Sequence, residues 1–304
     1  MIRWASLVLV VLIVAIVAAV IWQHLRYVKM RRDLLHDQQP LLYPAETFHV
    51  LSFLKLAPGA ELLDAVRSLR DVVETQAQAR MVYAGKAVTS PLESAQLKER
   101  LGAAVQWDAV VLVQYASRQA AESFRATDSA GRAMAPFSQS YSHGMRRPVH
   151  LNHLLPQILL GIRLRQILTR APSLLPFVPA DEDQLDEMMR RARGPLLAEK
   201  EWGRDAILVA NLIKNGSAED IAADRKYGAK MFALMAEVGN GPIHVGKAVT
   251  LELDTRFDNV AMVYYPGVQY FHDMATSRYF NNIYADKKLG DSQATVTVPI
   301  LHRL

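Results

Sequence analysis

A short pattern that occurs twice constrains the fold more than any other feature of this sequence. The pentapeptide Gly-Lys-Ala-Val-Thr stands at 85–89 and again at 246–250. Apolar runs typical of strands precede and follow each copy, at 49–54 and 107–115 and at 207–212 and 257–265. Three matches in the same order predict a duplicated unit of roughly a hundred residues.

Each unit has the predicted order strand, helix, strand, strand, helix, strand. In the second copy, Ser217 and Asp220 form a capping-box pattern at the start of a helix, and Gly239 marks its end. The predicted elements are 47–56, 60–79, 81–89, 107–115, 117–127 and 147–154, then 207–212, 217–238, 243–251, 260–265, 268–276 and 294–300, with a short helix in the insert 91–103. This βαββαβ order is typical of a ferredoxin-like antiparallel sheet.

One ferredoxin-like sheet has helices on one face and leaves the other face uncovered. Two copies in one chain can cover each other's sheets, which predicts that they pair within the chain as a barrel-like pseudo-dimer. The predicted organisation is a first repeat over 46–155, a helical connector over 156–203 and a second repeat over 204–304.

The N-terminal residues 5–21 form an apolar run in which Ser6 is the one polar residue. Trp4 and Trp22 flank it, and indole rings favour the two interfaces of a bilayer. A helix from one Trp to the other spans about 28 Å at 1.5 Å per residue, which matches the hydrocarbon thickness. We therefore predict a transmembrane anchor with its basic flank over 1–32, and residues 4–22 in the bilayer. A cleavable signal peptide is the alternative.

The orientation is predicted from the basic residues at the two ends of this run. Arg3 precedes it, whereas Arg26, Lys29, Arg31 and Arg32 follow it. The positive-inside rule places the following region in the cytoplasm, so we predict a single-pass protein of the inner (plasma) membrane. The periplasmic face is the alternative.

Several segments of the second copy resemble domain-of-unknown-function family 1330, a member of the dimeric α+β barrel superfamily. They are 257–266, 271–274, 276–279, 289–292 and the join 236–248. The resemblance implies an α+β fold in which two ferredoxin-like βαββαβ repeats form an intramolecular dimeric α+β barrel behind the transmembrane helix. The family usually has a Ser-Pro-x-Tyr turn, and in this sequence Arg278 stands in place of the Pro. The first copy has no matching Tyr after residues 127–129.

The connector contains two predicted helices. The first, 155–170, is basic and amphipathic, and such a helix either packs on the barrel or lies on an anionic membrane surface. The second begins with Asp181-Glu182-Asp183 and is expected to end at Gly194-Pro195, with acidic residues first and basic residues last, as the helix dipole favours.

The composition limits the chemistry of the chain. It contains no cysteine, which excludes thiolate catalysis and disulfides, and its net charge of +5 is too small to indicate nucleic-acid binding. No phosphate-binding loop or hydrolase motif occurs. His150 and His153 would point to opposite faces of a strand, so no metal site is predicted, and no cofactor is assigned.

The second copy carries the residues most able to bind a ligand. Lys247 lies among apolar strand residues, and His244 alternates with small residues on the opposite face. Tyr264, His272 and Tyr279 add hydrogen-bonding groups on neighbouring elements. Such a set suits a small lipophilic ligand with one polar end, and an ordinary core with satisfied hydroxyl groups is the alternative.

We therefore expect a membrane-anchored tandem barrel that binds a small lipophilic ligand without catalysis. The alternative functions are a small cofactor-independent monooxygenase or an isomerase-like enzyme acting on a lipophilic substrate, and a haem-binding barrel. The superfamily resemblance suggests these alternatives, and a fold alone selects none of them.

Overall fold

The computed structural model describes residues 2–40, 42–148, 151–185, 187–198, 206–252 and 254–304. The helices are α1 Ile2–Leu35, α2 Leu62–Gln76, α3 Ala95–Leu101, α4 Arg118–Arg125, α5 Asp128–Met134, α6 Leu151–Leu168, α7 Glu187–Ala198, α8 Ala218–Val238, α9 Val268–Ala275 and α10 Arg278–Tyr284. The strands are β1 Phe48–Leu56, β2 Arg80–Leu92, β3 Ala109–Tyr115, β4 Phe137–Arg146, β5 Ile207–Lys214, β6 Gly241–Thr250, β7 Asn259–Tyr265 and β8 Asp291–Pro299.

The eight strands form a closed antiparallel barrel in the order β1-β3-β2-β8-β5-β7-β6-β4. The four strands of the N-terminal half are contiguous in this order, as are the four of the C-terminal half. The pairs β2–β8 and β4–β6 join the two halves and leave no free sheet edge. The molecule therefore has an α+β barrel fold preceded by an N-terminal apolar helix.

Strand alternation divides the side chains of the barrel wall into two apolar cores. The inner core fills the barrel with Leu51, Phe53, Leu112, Tyr141, Met145, Leu208 and Met262. The outer core lies between the sheet and the helices, and includes Val66, Val111, Val209, Leu234, Phe271 and Val296. A cavity outside the barrel would therefore lie in this layer, between the sheet and the helices.

The N-terminal helix continues beyond its apolar run and packs on the barrel. The helix from Ser6 is long and apolar enough to cross a membrane, by length and composition, and the side chains of residues 6–22 are exposed. Further along, the Tyr27 hydroxyl donates to the carbonyl of Pro242 at 2.5 Å, and Leu35 is fully buried. The helix thus reaches Leu35, three residues past the predicted end of the anchor region.

The strand predicted over 147–154 is wrong. The fourth strand is β4, and the helix α6 already begins at Leu151. The alternating serines of β4 at 138, 140 and 142 concealed its apolar face in the sequence. His150 lies outside the described residues, and His153 belongs to α6.

The predicted end of the connector's second helix at Gly194-Pro195 is also wrong. Helix α7 continues through both residues to Ala198. The side chains of Met189 and Leu196 are buried in the outer core, and this packing holds the helix past a residue that removes one of its hydrogen bonds.

Candidate functional site

The structure separates the five residues predicted to bind a ligand. His244 on β6 pairs with Met262 on β7, and both His244 and Tyr264 are buried on the inner side of the barrel wall. Lys247 is exposed on the opposite face of β6, where its Nζ donates to Asn259 Oδ1 at 3.2 Å. His244 and Lys247 therefore point to opposite faces, as strand alternation requires.

The two remaining residues belong to the helical layer outside the sheet. The His272 ring is 3.1 Å from the Asp273 carboxylate, and the Tyr279 hydroxyl donates to the carbonyl of Lys230 at 2.9 Å. Since the sheet lies between these two and the inner pair, the five residues do not line one common cavity. A ligand-binding role for the individual residues stays a prediction.

His244 belongs instead to a buried ion network at one end of the barrel. Asp37 Oδ2 accepts from Arg31 Nε at 3.0 Å and Nη2 at 2.5 Å, and lies 2.9 Å from His244 Nε2. Asp37 Oδ1 accepts from the backbone N–H of Gln39 at 2.8 Å. The carboxylate therefore has a donor on each of its oxygens.

A second buried arginine completes this network. Arg147 donates to His244 Nδ1 at 2.6 Å, to the carbonyl of Ile243 at 3.0 Å and to the side chain of Gln39. Its guanidinium also lies 5.8 Å from the ring centroid of Tyr43. Because Arg147 donates to Nδ1, the proton of a neutral His244 ring is on Nε2, which faces Asp37.

The charges of this network shift the ionisation of its members. Burial opposes ionisation of Asp37, but the neighbouring Arg31 guanidinium and His244 hold the pKa of that carboxyl well below its usual range. Burial lowers the pKa of His244 to about 4, against the opposing effect of Asp37. At neutral pH the network thus contains an ionised Asp37 and a neutral His244.

The ion network holds the segment after α1 on the barrel and leaves no room for a substrate. The cavity beside Arg31, Asp37 and Gln39 measures about 10 Å³, which is at most the space of one water molecule. Arg31, Asp37 and Gln39 are near each other in the sequence, but no local pattern indicates that Arg147 and His244 join them, because these two residues are distant from that segment in the chain. We assign it a structural role.

A cavity of ligand size lies in the C-terminal half, on the outer face of the sheet. It measures about 260 Å³ and is bounded by β5, β7, α8, α9 and α10. Four methionines and six aromatic residues are among its lining residues: Met189 of α7, Met231, Met235, Met274, Tyr227, Phe232, Tyr265, Phe271, Phe280 and Tyr284. Gly228 of α8 adds space, since a Cβ there would meet no atom within 4 Å.

One end of this cavity is polar. The Nζ of Lys287 lies 5.6 Å from the ring centroid of Tyr227 and 5.5 Å from that of Tyr284, and Asp224 is near. Burial lowers the pKa of Lys287 to about 8, against the opposing effect of Asp224. Burial also raises the pKa of Asp224 and of the Tyr227 hydroxyl. The cavity thus combines an apolar body with an amine at one end.

The equivalent space in the N-terminal half is smaller and more polar. It measures about 170 Å³ and lies between β1, β3 and the helices α2, α4 and α5. Arg125 and Glu252 form an ion pair at 3.2 Å on its lining, and Gly131 of α5 is the counterpart of Gly228 in leaving open space. The C-terminal cavity is therefore the better candidate for a lipophilic ligand.

The described residues at this cavity include neither a group of metal ligands nor a histidine. Within the described part of the chain, no three His, Cys, Asp or Glu residues are grouped to hold a metal ion. Among the described lining residues there is also no histidine, the axial ligand of haem in globins and peroxidases. We derive no reaction through a haem group.

Comparisons with known proteins find distant structural similarity and no sequence match. No family model and no curated protein matches the sequence. An anthrone oxidase-like protein is 8% identical over 84% of this chain and 92% of that chain, with a TM-score of 0.44. Chlorite dismutase from Candidatus Nitrospira defluvii is 10% identical over 86% and 94%, with a TM-score of 0.41. A protein of unknown function from Rhodopseudomonas palustris is 16% identical over 36% and 92%, with a TM-score of 0.32.

These similarities are too low to transfer an activity to this chain. Its own geometry defines the class: an α+β protein with a closed eight-stranded barrel, an N-terminal apolar helix and a ligand-sized cavity outside the C-terminal half of its sheet.

Proposed function

We propose that this protein is held in a membrane by α1 and binds a small lipophilic carboxylate in the C-terminal cavity. The observation that carries the proposal is the amine of Lys287, which lies with Asp224 at one end of a mainly apolar cavity of about 260 Å³. An apolar cavity with a few placed polar groups is the usual form of a small-molecule site. The carboxylate of the ligand would replace water at the ammonium group of Lys287. The flexible methionine side chains would adapt to the shape of the ligand's apolar part.

Membrane anchoring is supported by the length and exposure of the apolar part of α1. We propose that residues 4–22 span the inner (plasma) membrane, with the barrel on the cytoplasmic side because the basic residues follow the span. A lipophilic ligand partitions into the bilayer, so an anchored barrel would meet it at high local concentration.

We also propose that the two halves are copies of one ferredoxin-like domain and are related to domain-of-unknown-function family 1330. The matching pentapeptides support this, since they fall on the corresponding strands β2 and β6. The strand orders β4-β1-β3-β2 and β8-β5-β7-β6 are likewise equivalent in the two halves.

The ligand proposal is tested by closing the cavity without disturbing the fold. Gly228→Phe places a ring in the open space and removes a helical glycine, so the variant is expected to fold. We expect decanoate to stabilise the purified full chain against heat, and its Kd to rise at least about tenfold in Gly228→Phe. Calorimetry and thermal unfolding in a nonionic detergent measure both quantities.

Gly131→Phe is the matched control, because it makes the same change in the N-terminal cavity. It should leave the Kd for decanoate within about twofold of the wild-type value. Lys287→Met should weaken the binding of decanoate roughly tenfold and the binding of decanol little, since only decanoate has a carboxylate to pair with the ammonium group. Equal binding by wild type and Gly228→Phe would place the ligand elsewhere.

A cofactor-independent isomerase-like enzyme is the second candidate function. The lowered pKa of Lys287 favours it, because an amine with a pKa of about 8 can accept a proton near neutral pH. Turnover of a bound lipophilic ketone by the wild type and none by Lys287→Met would establish this function. Binding without turnover in both would exclude it for that substrate.

A further inference from the structure

A second and larger cavity, of about 580 Å³, lies between α1, α6 and the C-terminal end of α8. Trp22 and Arg26 of α1 and Arg163 of α6 line it, and Tyr264 of β7 lies at its base. Trp22 marks the end of the proposed membrane span, so the cavity lies at the level of the lipid headgroups.

Helix α6 starts beside the apolar part of α1. The Gln157 side-chain amide donates to the carbonyl of Val20 at 3.2 Å, and the rings of His24 and His153 are 4.5 Å apart. Val20 belongs to the apolar run that precedes Trp22. The first turns of α6 therefore lie at the boundary of the proposed bilayer segment.

The two sides of α6 differ in what they contact. Leu159 is buried in the outer core beside Gly241 of β6, which agrees with the expectation that this helix packs on the barrel. Around the rest of its surface the helix exposes apolar side chains: Leu154, Ile158, Leu164, Ile167 and Leu168, with 46–83% of each exposed. A face of this kind beside a membrane helix suits the interfacial layer of a bilayer.

The charged groups of the cavity favour an anion. The Arg26 guanidinium lies 5.6 Å from the Trp22 ring, and Arg163 donates to Gln166 at 3.3 Å. Among the described residues, no carboxylate lies within ion-pair distance of either arginine. The carboxylate of Glu237, also on the lining, accepts hydrogen bonds from the side chain of Ser173 and the backbone N–H of Leu174.

We propose that this cavity binds the headgroup phosphate of a membrane phospholipid through Arg26 and Arg163, with the acyl chains along the exposed face of α6. Guanidinium groups are the side chains best suited to phosphate oxygens. The inference rests on the proposed membrane span of α1 and concerns a cavity separate from the decanoate site.

The test compares three short-chain probes on the full chain in nonionic detergent. Dioctanoyl phosphatidylglycerol carries phosphate and chains, dioctanoylglycerol carries chains alone, and glycerol 3-phosphate carries phosphate alone. We expect the phospholipid to bind at least about tenfold more tightly than either of the others, and to bind about tenfold more weakly to the double variant Arg26→Gln/Arg163→Gln. Native mass spectrometry measures the bound fraction.

The control is Arg165→Gln/Arg170→Gln, which removes the same charge from exposed positions on α6 and just after it. Its affinity should stay within about twofold of wild type. The phosphate site would be overturned if the two double variants bound the phospholipid equally weakly. It would also be overturned if the wild type bound dioctanoylglycerol as tightly as the phospholipid. Equal binding of glycerol 3-phosphate would overturn a lipid as its ligand. Binding of the phospholipid by a chain that fractionates as soluble would contradict the membrane span alone.

Discussion

Asp37→Asn is expected to lower the free energy of unfolding by about 3–5 kcal/mol. The Asp37 side chain is 1% exposed and faces Arg31, whose side chain is 8% exposed, so the variant leaves a buried guanidinium without its counter-charge. The contact of Asp37 with His244 is also weakened, which loosens the hold of the segment after α1 on the barrel. Urea unfolding of the full chain in nonionic detergent measures the change.

Asp33→Asn is the matched control, because Asp33 pairs with Lys29 on the exposed side of the same helix. An exposed pair contributes about 0–1 kcal/mol, so this variant should unfold nearly as wild type does. Arg31→Met/Asp37→Leu should recover part of the loss, since it removes both buried charges together. If Asp37→Asn and Asp33→Asn were equally stable, the ion network would not hold the barrel end.

The free energy of unfolding is expected to fall as the pH falls from about 6.5 to about 4. Burial lowers the pKa of His244 and of His143 to about 4, and that of His49 well below 6.5. In this range the unfolded chain takes up protons that the folded chain does not, so acid favours unfolding. Each histidine with a fully lowered pKa contributes up to about 3 kcal/mol to this loss, and the histidine contribution should be constant above pH 7.

His49→Leu separates this effect from general acid unfolding. Among the described residues neither ring nitrogen of His49 has a hydrogen-bond partner, so the variant loses no hydrogen bond and a titrating group disappears. We expect it to be more stable than wild type, and by a larger margin at pH 5 than at pH 7.5. The exposed His302→Gln should follow the wild-type curve at both values. A wild-type stability that did not change between pH 7 and 4.5 would contradict the buried, neutral state of these histidines.

The predictable part of the fold is the part that local patterns determine. The capping box of Ser217 and Asp220 begins α8 as predicted, and the apolar runs at β5 and β7 are strands. Strand β4 was missed because its polar residues alternate with Tyr141 and His143, whose side chains enter the barrel. Its strand conformation depends on pairing with β1 and β6, which are distant in the sequence.

The candidate site was predictable by region and not by residue. The sequence favoured the C-terminal half, where the cavity of about 260 Å³ lies, and Tyr279 stands on a helix that borders this cavity. His244 was chosen because small residues alternate with it, but the inner face of the barrel is filled and the open space lies on the outer face. Lys287 follows α10 outside any motif, and only the packing of α8 against α10 brings it to the cavity.

The most direct test of the ligand site is to map where a bound ligand reacts. We expect a photoreactive decanoic acid with a terminal diazirine to label peptides of α8 and of residues 268–287 after irradiation of the full chain. Excess decanoate and the variant Gly228→Phe should each abolish this labelling, whereas Gly131→Phe should retain it. Labelling confined to the N-terminal half or to the inner strands, unchanged by Gly228→Phe, would contradict a ligand site in the C-terminal cavity.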